Sequence, residues 1–64
     1  MKSQFVSFRY LDDDNNEQDA VLNIAQIVTI LPYEDGGTLI TMINDEEFLV
    51  TTEYPEMAKI AANW

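Results

Sequence analysis

Cysteine and histidine are both missing from this 64-residue chain. No disulfide can brace the fold, and the usual zinc, iron–sulfur and haem sites lose their ligands. Positive charge is nearly missing as well. Lys2, Arg9 and Lys59 stand against twelve Asp and Glu, for a net charge of −9. Phosphate-driven nucleic-acid binding draws its affinity from Lys and Arg, and an anionic membrane surface repels an acidic chain, so both are disfavoured. A basic protein partner suits this charge, which also serves plain solubility. No run nears the roughly 18 apolar residues of a membrane span. The opening MKSQFVSFRY lacks the apolar core of a signal peptide. The expected protein is soluble and cytoplasmic, in the host cytoplasm if the gene is viral.

What is present is globular in composition. Apolar residues make up 47% of the chain, which separates it from disordered sequences. A domain this small buries only about 60% of the surface its unfolded chain exposes, so its core is marginal. With disulfides and metals set aside, a homodimer is one remedy and a sheet curled on itself is the other.

Alternation organises residues 4–52. In QFVSFRYL (4–11), Val6, Phe8 and Tyr10 share one face while Ser7 and Arg9 share the other, the pattern of a half-buried strand. DDDNNEQ (12–18) then supplies turn formers. A short strand is expected at 19–23, a tight corner at Ile24–Gln26 and a second strand at 27–33, where β-branched residues argue against a helix. Pro32 places the end of that strand at an edge or bulge. EDGG (34–37) is a hairpin signal, because glycine takes positive φ cheaply. Strands at 38–43 and 47–52 follow, joined by a turn at Asn44–Glu46. In YPEMAKIAANW the period changes. Pro55 suits a first helical position and is expected to hold Tyr54 outside the helix. Met57, Ile60, Ala61 and Trp64 then line one helical face. The expected fold is a single small α+β domain over residues 1–64: a five-stranded antiparallel meander or partial barrel with one short C-terminal helix.

The acidic stretch DDDNNEQD (12–19) matches the start of a calcium loop at Asp12, Asp14 and Asn16. The sixth position then holds Glu17 where glycine is required, and the twelfth holds Asn23 where a bidentate Glu is required. No metal or other cofactor is expected. Paired catalytic carboxylates need a cleft and one raised pKa, whereas these acids crowd into turns where solvent keeps them ionised. Ser and Thr lack an activating base, and Gly36–Gly37 joins strands instead of opening a phosphate-binding helix. An enzyme is not expected, and no residue is assigned as catalytic. Arg9 is expected to pair with a cross-strand acid.

Contact with another protein is the remaining class. The acids of 12–17 and 34–35 could capture a basic surface, in the manner of an inhibitor occupying the nucleic-acid site of a host enzyme. The candidate partner-binding residues are Asp12, Asp13, Asp14, Glu17, Glu34, Asp35 and the neighbouring Tyr33. In a meander, 12–17 and 34–36 could share one end of the sheet, with 45–47 at the other. Apolar residues fall on both faces of the strands 38–43 and 47–52, and one short helix covers only one face. Leu39, Thr41 and Ile43 fall on one face and Ile40 and Met42 on the other, and Leu49 opposes Phe48 and Val50, so one face is left for a sheet curl or a second subunit.

The stretch from Ile24 to Ile60 resembles the small FlbD-like proteins of flagellar and swarming motility, and related short proteins of bacteria and phages. The resemblance is carried by Ile24, Ile27, Val28, Ile30, Gly37, Thr38, Ile40, Val50 and Ile60. It implies a small β-rich fold with a C-terminal helix, a regulatory or adaptor role, and no catalytic residues.

Overall fold

The computed structural model describes residues 4–63. Strands β1 (Phe5–Leu11) and β2 (Glu17–Asn23) form a hairpin. A 3-10 turn, η1 (Ile24–Gln26), leads into β3 (Ile27–Pro32), β4 (Thr38–Met42) and β5 (Glu47–Val50), and helix α1 (Tyr54–Ala62) follows. The alternating segments, the three hairpins and the corner at 24–26 thus fall where side-chain periodicity places them. β2 starts earlier than its turn-forming composition suggests. Glu17 and Asp19 are strand residues, facing Leu11 and Arg9 across the ladder. Tyr54 lies inside α1, with Glu53 as the N-cap and Pro55 in the first turn. Trp64, expected as a helix anchor, lies outside the described residues.

The five strands form one antiparallel sheet in the order β2-β1-β5-β4-β3. This is not the sequential order of a plain meander. Only β3, β4 and β5 are laid down in succession, and the β1–β2 hairpin attaches to β5 through Tyr10–Val50 and Leu11–Leu49. The two edge strands, β2 and β3, are consecutive in the chain and separated by the three residues of η1. Three residues span only about 10 Å even when extended. The sheet must therefore curl so that the end of one edge meets the start of the other. Backbone bonds tie both ends of this corner: Ile24 N–H donates to the Gln4 carbonyl, and Ile43 N–H donates to the Gln26 carbonyl. The Asn23 side chain accepts from Ala25 N–H at 3.0 Å and caps the turn.

All three hairpins share one hydrogen-bond frame. Asp12, Tyr33 and Met42 each accept from the N–H three residues on and donate to the carbonyl four residues on. Each frame puts a left-handed residue at its fourth position: Asn15 at φ 63°, Gly36 at φ 98° and Asp45 at φ 67°. Such short, bulged loops suit the right-handed twist of the strands they join.

One sheet face carries the core. Phe8, Leu22, Ile40, Met42 and Val50 are buried there with Ile24, and Met57 of α1 closes over them. Ile40 and Met57 have no exposed surface. Thr38 is also fully buried, and its hydroxyl donates to the Thr52 carbonyl at 2.8 Å. Tyr10 meets Phe48 edge to face, with ring centroids 5.4 Å apart. Among the described residues no helix is long and apolar enough to cross a membrane.

Candidate functional site

The face turned away from the core is where sequence and register combine. Because successive strand residues alternate between faces, Leu11, Leu31, Leu39 and Leu49 all fall on the outer side. The register then aligns them. Leu11 faces Leu49, Leu49 faces Leu39, and Leu39 faces Leu31. Glu17 of β2, opposite Leu11, completes the row at its far end. One line across all five strands therefore reads Glu17–Leu11–Leu49–Leu39–Leu31. The three central leucines are half-buried, and Leu31 at the edge is 50% exposed.

Charge borders this row. Arg9 lies on the same face, where its Nε stands 3.5 Å from Asp19 Oδ1 and its Nη1 4.0 Å from Glu17 Oε1. The expected cross-strand pairing is thus present, and two carboxylates face one guanidinium. Glu47 pairs with Thr41 on the same face. A shallow cavity of about 200 Å³ opens beside the leucines. Its walls include Leu11, Leu49, Thr51, Asp35, Gly36 and Glu53. The Glu53 carboxylate accepts from Gly37 N–H at 3.3 Å, so this N-cap side chain is turned toward the β3–β4 hairpin. A cavity with leucine walls and two acidic side chains at its border fits an aliphatic stem ending in a cation.

The acidic residues named from the sequence divide into two groups. Asp12, Asp13, Asp14 and Glu17 belong to the β1–β2 hairpin, and Tyr33, Glu34 and Asp35 to the β3–β4 hairpin. Pairing through β5 sends these hairpins in opposite directions. The 12–16 loop leaves on the Glu47 side of Leu49 and the 33–37 loop on the Thr51 side. It is the 43–46 loop that shares the first direction, which reverses the arrangement expected from a meander. Of these seven residues, Asp35 alone lines the cavity beside the leucines. Tyr33 is 45% exposed at the hairpin base.

Asp12 has a local task. Its Oδ1 accepts from the N–H groups of Asn16 and Asp14, each at 2.9 Å, and its Oδ2 from Gln18 Nε2 at 3.2 Å. These bonds, that from Asn16 foremost, hold its carboxyl below the ordinary value. The residue that opens the imperfect calcium motif thus organises its own turn. Among the described residues no group of three or more Asp or Glu is placed to hold a metal ion.

A second, larger cavity of about 320 Å³ has Phe5, Val21, Leu22, Met42 and Phe48 among its walls, with Asn44 and Glu46 beside them. Asn23 and Gln26 also line it.

The leucine row is the feature that reading the sequence only half found. Apolar residues on both faces of 38–43 and 47–52 point to an uncovered face, without marking which one or joining Leu11, Leu31, Asp19 and Glu53 to it. A partial signal exists, because Leu39 and Leu49 are equally distant from Asn44 and so meet in any regular hairpin centred there. Comparison with known proteins adds no assignment: no family model, curated protein or solved structure matches this chain.

Proposed function

We propose that this chain is a non-catalytic binding module, a small regulator or adaptor acting through protein–protein contact, with the outer sheet face as its contact surface. The observation that carries this reading is the registered row of four leucines on the face that α1 leaves uncovered. A contiguous apolar patch rimmed by polar groups is the usual mark of an interaction site on a small soluble domain. The adaptor role is also what the resemblance of residues 24–60 to FlbD-like proteins implies.

The excess of carboxylates favours a second reading, an acidic inhibitor that occupies a basic nucleic-acid site. Asp13, Asp14, Glu34 and Asp35 are all exposed. Salt separates the two, because charge-driven capture weakens with ionic strength while apolar docking barely changes.

The test places a photo-cross-linking residue at position 49 in one variant and at position 13 in another, each exposed to native host lysate at low and high salt. The module reading expects one protein captured from position 49 at both salt levels. Capture from position 13 alone, lost at high salt, establishes the inhibitor reading in its place. Capture from neither position refutes both.

A further inference from the structure

We infer that the outer face is built for a basic amphipathic segment of a partner protein: apolar side chains along the leucine row, and a Lys or Arg side chain in the cavity bordered by Asp35 and Glu53. The inference rests on the reading of this face as a protein-binding surface, and names the chemistry of what binds.

Three features on the same face carry it. The row from Leu11 to Leu31 offers a continuous apolar strip across four strands. Its flanks are acidic. Glu17 and Asp19 stand at the β2 side, Glu47 on one row beside it, and Asp35 and Glu53 at the cavity. Arg9, the one cation on this face among the described residues, is already engaged by Glu17 and Asp19. The cavity supplies the third feature, a pocket of about 200 Å³ whose walls combine Leu11 and Leu49 with the acidic residues Asp35 and Glu53. A lysine or arginine side chain combines the matching parts, an aliphatic stem and a positive charge.

The alternatives fit less well. A second copy would bring two faces with acidic flanks together, on chains that each carry a net charge of −9, and like charges brought together across an interface are costly. An acidic or nucleic-acid partner meets the same repulsion.

The test uses the full chain, isotope-labelled for NMR, and three synthetic peptides. One is a five-turn amphipathic peptide with leucine on one helical face and lysine on the other. The second keeps its composition with the order scrambled, and the third replaces lysine with glutamate. The Leu/Lys peptide is expected to bind and to shift the amides of Leu11, Gly37, Leu39 and Leu49. The scrambled peptide should bind at least about tenfold more weakly, and the glutamate peptide should not bind at all.

Two substitutions locate the contacts. Leu49→Ser should weaken the Leu/Lys peptide about tenfold or more, and Leu31→Ser, at an exposed edge, serves as a second probe that leaves the core intact. Glu53→Gln keeps an acceptor oxygen for Gly37 N–H and removes only the charge, and should weaken binding roughly threefold. Equal binding of ordered and scrambled peptides, with shifts confined to residues 12–16, overturns the inference in favour of unspecific charge capture. No binding of the Leu/Lys peptide overturns it outright. So does self-association that Leu49→Ser abolishes, which assigns the face to a second copy. The cross-linking result stands independently. Capture from position 49 together with failure of the peptide leaves the module reading intact and shows that the partner is not basic and amphipathic.

Discussion

Gly37 lies so close to Val50 that a Cβ at position 37 would sit 2.5 Å from the Val50 carbonyl oxygen. Its φ of 83° is also one that L side chains rarely adopt. Gly37→Ala therefore combines backbone strain with a backbone clash at the start of β4. It is expected to cost about 2 kcal/mol or more, read as a fall in denaturant midpoint with an unchanged slope.

Asp45 occupies the left-handed position that Gly36 fills in the β3–β4 hairpin. Its side chain makes that conformation costly, and glycine would not. Asp45→Gly is expected to stabilise the fold by up to about 1 kcal/mol, while Asn15→Gly should gain less because asparagine tolerates this region better. Thermal unfolding of the two variants checks the order.

Asp12 should make the fold acid-sensitive in one identifiable way. Its folded pKa lies below the ordinary value of 3.8. Its stabilising contribution is therefore complete above that ordinary value and is lost as pH falls through the lowered one. An NMR titration should find the Asp12 midpoint below the ordinary aspartate value. Asp12→Asn keeps an acceptor for the Asn16 and Asp14 amides. Its stability should consequently change less with acid below about pH 4 than that of the parent protein.

Met57 of α1 is fully buried in the same core cluster as Ile40 and Val50 of the sheet. Truncating such a side chain costs about 2–5 kcal/mol. A domain of this size has a total stability of only about 3–10 kcal/mol. Met57→Ala is expected to leave a substantial unfolded population near room temperature, measured by circular dichroism. Val28→Ala, at a position 63% exposed, should stay within about 0.5 kcal/mol of the parent protein.

Local chemistry was the part of this molecule legible in its sequence. Val6, Phe8 and Tyr10 announce β1 by alternation, Gly36–Gly37 announces a hairpin, and the switch to helical spacing at Met57 and Ile60 announces α1. Glu17 was misread as turn because its composition favours loops. The ladder opposite Leu11 and Arg9 draws it into β2, where edge carboxylates also discourage pairing with another chain. Strand order was not legible, since nothing near Tyr10 specifies Val50 as its partner. That one pairing sets the direction of the acidic loops and aligns Leu11 with Leu49. An uncovered apolar face could therefore be suspected from the two-sided strands 38–43 and 47–52 but not drawn.

The attachment of β1 to β5 also governs how the chain reaches its native state. Each hairpin needs only neighbouring residues and forms within microseconds. Tyr10 and Val50, by contrast, must meet from positions roughly forty residues apart, and the entropy of that closure is spent before the pairing returns anything. The expected rate-limiting event in refolding is thus the capture of the N-terminal hairpin by the β3–β5 unit. Until it happens, the leucines later shared by β1 and β5 are held on two separate pieces.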